Sequence, residues 1–91
     1  MKYRQKPVEV EAFQFDGDFQ YDNGEYYVPD WAIEAHKNGR LFFVGQGDLY
    51  AINHAGRFLV DCGDYIVKEP SGDFKVYSPE LFHKKYEEVQ N

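Results

Sequence analysis

The sequence has very little cysteine and no long apolar run. Cys62 is the one cysteine among 91 residues, so no disulfide can form within the chain and a reducing compartment is indicated. No stretch approaches the roughly 18 apolar residues that a membrane-spanning helix needs. The charged start also lacks the apolar region of a signal peptide. We therefore expect a soluble, cytoplasmic protein without a membrane partner.

The sequence patterns of metal, phosphate and nucleophile sites are lacking as well. The histidines lie far apart in the chain: His36, His54 and His83. Structural zinc sites instead take clustered ligands. The acidic loop at residues 16–25 does not fit a calcium loop, because Tyr21 and Tyr27 stand where that loop requires Gly and Glu. The G-x-G at residues 45–47 is followed by no third glycine and no predicted helix. We predict no metal, no cofactor and no catalytic residue.

Positive charge is scarce. The chain has 16 acidic and 10 basic residues, a net charge of -6. The one basic concentration is "MKYRQK" at the start, and "HKK" at residues 83–85 is followed at once by Glu87 and Glu88. Phosphate backbones repel such a chain unless its basic residues are segregated. The composition therefore argues against a nucleic-acid partner.

Aromatic residues are abundant. They make up 19% of the chain, including eight tyrosines, which is more than a small core needs because each buried phenol must find a hydrogen-bond partner. Tyrosine is enriched at protein interfaces. We take four aromatic residues as the candidate interaction surface: Tyr21, Tyr26, Tyr27 and Trp31. The alternative, that these rings cap the core, stays open at this stage.

Apolar alternation and turn residues predict mostly β-structure. In "PVEVEAFQF" apolar and polar residues first alternate as in a half-buried strand, and the apolar residues then move to the positions of the opposite face. This change indicates either a β-bulge near Glu11 and Ala12 or a strand that crosses between two packing environments. Asn23-Gly24 predicts a two-residue hairpin turn. After Arg40, five short apolar runs separated by turn residues predict consecutive antiparallel hairpins.

Two short helices complete the prediction. One begins at Pro29 or Asp30, ends at Asn38-Gly39, and is expected to dock through Trp31, Ile33 and Ala35. The other begins after Ser78 as N-cap. We predict one α+β domain over residues 1–91, with a strongly bent antiparallel sheet or small open barrel, one short helix and a terminal helical turn.

The stretch "DCGDYIVKEPSGDF" at residues 61–74 combines a cysteine, three aspartates and two glycines. Gly63 and Gly72 supply the conformational freedom of two tight turns, and aspartates bond readily to nearby backbone. A nucleophilic cysteine needs a neighbouring base or helix N-terminus, and none is recognisable near Cys62. We interpret the stretch as two turns around one strand.

The ends of the chain resemble a family of small phage and prophage proteins. The likeness lies in "KYRQKPV", "EAFQ", "GDYI", a glycine turn at Gly72, "PELF" and "YE", at residues 2–8, 11–14, 63–66, 79–82 and 86–87. The resemblance implies a phage or prophage gene product working in the bacterial host cytoplasm, and it implies no catalytic residues. We also expect the first strand to pair with the closing "YEEV".

These observations predict a non-enzymatic phage or prophage accessory protein that acts as a protein-interaction module on a host or phage protein. The alternative is capture of a small, nucleotide-like ligand by Arg4, Arg40 and Arg57, the arginines of the chain. A third alternative is a small enzyme that depends on Cys62 or a metal. Exposed strand edges and surplus tyrosines also make a homodimer plausible.

Overall fold

The computed structural model describes residues 1–2, 10–45 and 47–86. In chain order the elements are β1 (Glu11–Gln14), α1 (Asp30–Lys37), β2 (Leu41–Val44), β3 (Asp48–Asn53), β4 (Gly56–Val60), β5 (Tyr65–Lys68), β6 (Phe74–Tyr77) and α2 (Pro79–Lys85). The predicted α+β class, short helix and terminal helical turn are confirmed.

The strands form two antiparallel three-stranded sheets, in the orders β2-β3-β4 and β1-β5-β6. The expected run of consecutive hairpins is therefore interrupted once, because β5 leaves β4 and pairs with β1. The turn at residues 61–64 makes this change of partner, since Gly63 N donates to Phe15 O at 2.7 Å and Phe15 N donates to Asp64 O at 2.8 Å. These two bonds hold the start of β5 against the end of β1.

Strand β1 is packed on both faces. Its register with β5 runs without interruption from Glu11 opposite Lys68 to Gln14 opposite Tyr65, so of the two alternatives for this segment the bulge near Glu11 and Ala12 is wrong. Phe13 packs on the core, whereas Ala12 lies opposite Val67, which is fully buried on the other face. The change in the alternation of apolar residues therefore marks a strand that has apolar neighbours on both of its faces. The predicted pairing of the first strand with "YEEV" falls partly on residues 7–9 and 87–89, which lie outside the described residues. The described part of the strand, Glu11–Gln14, pairs with β5.

Helix α1 ends as its sequence predicts. Gly39 has a φ of +77°, Gly39 N donates to His36 O, and Arg40 N donates to Ala35 O at 2.9 Å. This pattern is a Schellman motif, which satisfies the last carbonyls of a helix. Ala32 and Ala35 are buried, and their small side chains let the helix backbone approach the sheets closely.

Helix α2 covers the outer side of the sheet β1-β5-β6. Ser78 caps it by accepting from Leu81 N, with Pro79 at the first position. The rings of Phe82 and Tyr65 are parallel with centroids 4.0 Å apart, and Phe82 also contacts Tyr86, four residues further on. Aromatic stacking therefore attaches the second helix to β5.

The core lies between the two sheets and α1. Its buried residues are Phe15, Phe19, Val28, Ala32, Ala35, Leu41, Leu49, Ala51, Val60, Ile66 and Phe74. At one end a polar cluster joins the sheets: Asn53 Nδ2, on β3, donates to Phe74 O, on β6, at 2.8 Å. Asp73 beside it pairs with His54 and, at 3.5 Å, with Arg40. The sheets are thus connected by side-chain bonds as well as by packing.

Candidate functional site

The candidate tyrosines lie on a small hairpin between β1 and α1. Gly24 N donates to Tyr21 O at 2.9 Å, and Tyr21 N donates to Glu25 O at 2.8 Å, so the loop has three residues rather than the two we predicted. Gly24 takes the positive φ of +88°, while Asn23 does not take a positive φ. A three-residue loop of this kind is a type I turn followed by a left-handed glycine. Asn23 instead accepts the N–H of Glu25 at 3.0 Å through its side chain.

Tyr27 fixes this hairpin to the preceding loop. Its hydroxyl donates to Asp16 Oδ1 at 2.5 Å and lies 2.9 Å from the carbonyl oxygen of Asp18. The hydrogen bond to Asp16 raises the pKa of Tyr27 to about 12, with desolvation and the charges of Asp16 and Asp18 acting in the same direction. The phenol therefore stays protonated and remains a donor throughout the physiological pH range.

The four candidate aromatic residues divide into different environments. The rings of Tyr21 and Tyr27 are 4.8 Å apart, and Tyr21 remains 58% exposed. Tyr26 is also exposed and pairs with Gln20 across the hairpin. Trp31 instead stacks on Phe74, with centroids 5.8 Å apart, and touches Phe13 edge-on. Trp31 and Tyr27 are half-buried against the core, and the exposed rings of this set are those of Tyr21 and Tyr26.

Carboxylates surround these tyrosines. Asp16, Asp18, Asp22 and Glu25 are all exposed on the same loop and hairpin. We use the name tyrosine hairpin for residues 16–27, with its three tyrosines and four acids. Rings with their faces partly open to water beside negative charge suit a partner that presents lysine or arginine, because cations are attracted to aromatic faces.

The described arginines are engaged with different rings. The Arg40 guanidinium lies 4.8 Å from the ring centre of Phe74 and 3.5 Å from Asp73. The Arg57 guanidinium lies over Tyr50 at 5.6 Å, and Arg4 lies outside the described residues. Capture of a nucleotide-like ligand by these arginines stays a prediction.

A groove of about 330 Å³ opens where the two sheets meet. It is lined by Asn53, His54, Ala55 and Phe58 from the hairpin β3–β4 and by Lys75, Val76 and Tyr77 from β6. Two of its polar side chains already have protein partners: His54 pairs with Asp73, and Lys75 Nζ lies 3.3 Å from Glu69 Oε1. The groove is at the lower limit of ligand-pocket sizes.

Cys62 is exposed in the turn that was predicted for it. Asp64 N donates to Asp61 O at 2.9 Å across this turn, and Gly63 has a φ of +99°. The second predicted turn forms as well, since Gly72 N donates to Glu69 O. Over the described ranges, no group of three or more His, Cys, Asp or Glu side chains is arranged to hold a metal. The two turns predicted for this stretch are confirmed, and the interpretation of Cys62 as a residue without a catalytic role stays a prediction.

One exposed surface was missed at the level of sequence. The outer face of the sheet β2-β3-β4 carries Phe42, Val44, Tyr50, Ile52 and Leu59, with Arg57 and Asp48 at its ends. The sequence did contain an indication of this surface. In "RLFFVG", "DLYAIN" and "RFLVD" apolar residues occupy consecutive positions, and therefore both faces of a strand, instead of alternating with polar residues. Such continuous runs indicate strands with apolar residues on both faces.

Neither the protein-family models, nor the curated proteins, nor the solved structures with which the chain was compared give a match. In the part of the chain that the structure describes, neither helix is long and apolar enough to cross a bilayer.

Proposed function

We propose that this protein is a non-enzymatic binding module of phage or prophage origin, which acts in the bacterial cytoplasm on a host or phage protein through the tyrosine hairpin. The observation that carries the proposal is the exposed ring of Tyr21, which lies against half-buried Tyr27, itself held in place by its bond to Asp16. The resemblance of the chain's ends to small phage proteins supports the biological setting.

An ordered aromatic pair is well suited to recognition. Tyrosine offers a large contact area with few rotatable bonds, and a ring that is already fixed loses little conformational entropy on binding. Tyr27 is fixed at its hydroxyl and supports Tyr21 through ring contact. The exposed ring can therefore act as an anchor without first having to be ordered.

The charge around the hairpin selects the chemistry of the partner. The four carboxylates lie within ten residues of one another in the chain, at Asp16, Asp18, Asp22 and Glu25. A partner surface with lysine or arginine gains both ion pairing and contact with the ring faces. An acidic partner is repelled by the same groups.

The test is capture from bacterial lysate followed by measurement of binding to the captured protein. Tyr21→Ser removes the exposed ring, and Leu81→Ser is a matched control, since Leu81 is 57% exposed on α2 and Tyr21 is 58% exposed. We expect Tyr21→Ser to weaken binding at least about tenfold, as truncation of an aromatic anchor does. Leu81→Ser and Cys62→Ala should bind as the wild type does.

Two results would contradict the proposal. One is equal affinity of the wild type and Tyr21→Ser for the captured protein. The other is loss of binding after chelation of metals or in Cys62→Ala, which would instead favour the enzyme alternative.

A further inference from the structure

We propose that the outer face of the sheet β2-β3-β4 binds the same face of a second copy of the chain, with the strands of the two copies antiparallel. This homodimer contact uses a surface other than the tyrosine hairpin and does not depend on the proposed function.

The register defines the face. Across the strands, Ile52 lies opposite Arg57, Phe42 and Leu59 lie on either side of Tyr50, and Val44 lies opposite Asp48. Side chains alternate between the faces of a strand, so these seven residues point away from the core residues Leu41, Leu49 and Ala51, which are buried.

This outer face is unusually apolar. An antiparallel sheet with one face on the core normally presents polar residues to water on the other. Here Val44 and Leu59 are each 47% exposed and Ile52 is 37% exposed, and the half-buried rings of Phe42 and Tyr50 stack with centroids 5.7 Å apart. The surface is apolar, and stacking gives its centre a defined shape.

The charges of the face complement a second copy of the same face. Arg57 and Asp48 are its charged strand residues, and they lie at opposite ends. Arg57 lies opposite Ile52, and Ile52 is four residues along β3 from Asp48. Arg57 and Asp48 are therefore separated by about 13 Å in the direction of the strands. A two-fold axis in the plane of the interface and perpendicular to the strands brings the Arg57 end of one copy over the Asp48 end of the other.

This arrangement produces two equivalent ion pairs around an apolar centre. Arg57 and Asp48 are on neighbouring strands, about 4.8 Å apart, which an arginine side chain can span. Stacking the faces with strands parallel would instead put Arg57 against Arg57 and Asp48 against Asp48, and like charges facing each other are repelled. The charge pattern therefore selects the antiparallel, two-fold dimer, whose contact surface is the same on both copies.

The size of the face sets the strength of the dimer. Three strands of about five residues cover roughly 250 Å² of sheet, which is below the approximately 800 Å² per partner of standard stable complexes. We therefore expect a dimer that forms at high protein concentration and dissociates on dilution, by packing of two sheets at about 10 Å.

The test is sedimentation equilibrium of the whole chain over a range of concentrations. The wild type should approach twice the monomer mass as the concentration rises. Arg57→Glu and Asp48→Lys, each alone, place like charges together and should leave the protein monomeric at the same concentrations. The double variant Arg57→Glu with Asp48→Lys restores opposite charges and should recover the dimer.

Controls separate loss of the dimer from loss of the fold. Leu59→Ser, on the face, should weaken association, whereas Leu81→Ser should not, although Leu81 on α2 is the more exposed of the two leucines. The thermal midpoint and circular dichroism of every variant are measured at a dilution where the wild type is monomeric. A wild type that stays monomeric at all concentrations overturns the proposal, and so does a folded double variant that fails to recover the dimer.

Discussion

Replacing Asn53 tests how the two sheets are connected. The Asn53 side chain makes two bonds, since Nδ2 donates to Phe74 O in the other sheet and Oδ1 accepts Ala55 N in the turn β3–β4, both at 2.8 Å. Each bond contributes a net stabilisation of about 0.5–1.5 kcal/mol. We expect Asn53→Ala to lower the free energy of unfolding by about 1–3 kcal/mol, and the melting temperature of a domain of this size falls by about 4–8 °C for each kcal/mol.

The hairpin at Asn23 offers a matched control. Asn23 Oδ1 accepts Glu25 N at 3.0 Å, which is the same local turn bond that Asn53 makes to Ala55. Asn23→Ala should therefore cost about 0.5–1.5 kcal/mol, and the additional loss in Asn53→Ala measures the bond between the sheets. Asn53→Asp keeps the acceptor for Ala55 but places a carboxylate oxygen against Phe74 O. Two acceptors at this distance repel each other and both lose a donor, so this variant should be at least as destabilising as Asn53→Ala.

The assay is equilibrium unfolding in urea, followed by far-ultraviolet circular dichroism and by fluorescence of Trp31. The slope of unfolding free energy against urea should be unchanged in every variant, because the surface exposed on unfolding is the same. If Asn53→Ala and Asn23→Ala agree within about 0.5 kcal/mol, the bond between the sheets makes no net contribution and the reasoning is refuted.

Three further predictions follow from the core and from the titrating groups. Leu49 is fully buried, so Leu49→Ala should cost about 2–5 kcal/mol in urea unfolding, and a loss below about 1 kcal/mol would show that the core collapses around the gap. The pKa of Tyr27 is raised to about 12, chiefly by its bond to Asp16. The protonated phenol therefore stabilises the fold fully below the ordinary tyrosine pKa, and this stabilisation is lost as the pH rises through the raised pKa of the folded state. Ultraviolet absorbance should show a late-ionising phenol that disappears in Tyr27→Phe, and an unchanged titration would contradict this. The hydrogen bond from His54 holds the pKa of Asp73 below its ordinary value. The carboxylate therefore stabilises the fold at any pH above the ordinary aspartate pKa, and this stabilisation is lost as the pH falls through the lowered pKa. The difference in unfolding free energy between the wild type and Asp73→Asn should shrink on acidification, and a constant difference would refute this prediction.

The helices could be predicted from the sequence because their signals are local. Ser78 and Pro79 begin α2, and Asn38-Gly39 ends α1 with the Schellman bonds that such a pair predicts. The turn at Gly63 was recognisable for the same reason, since a positive φ strongly favours glycine. Each of these signals depends on the backbone of a few consecutive residues.

The hairpin at residues 19–27 shows where local signals become ambiguous. Asn23-Gly24 fits both a two-residue and a three-residue loop, and the choice depends on which residues pair across it. Gln20 pairs with Tyr26, and Tyr21 N donates to Glu25 O, which gives the three-residue loop. Phe19 and Tyr21 lie on the same face of this strand because side chains alternate, but Phe19 is in the core whereas Tyr21, next to the turn, is exposed. The loop length therefore depends on the pairing and cannot be read from Asn23-Gly24 alone.

The sequence by itself determined where the helices begin and end, the turns at Gly63 and Gly72, the α+β class, and the abundance of aromatic residues for the core, because these follow from backbone preferences and from composition. Only the tertiary structure decided that β5 leaves β4 for β1, that Trp31 packs on Phe74 while Tyr21 stays in water, and that Asn53 joins the sheets. Those outcomes rest on contacts between residues distant in the chain, and their free energies are sums over whole packed faces. A local pattern such as "DLYAIN" shows that both faces of a strand are apolar, but which face is covered depends on the rest of the fold.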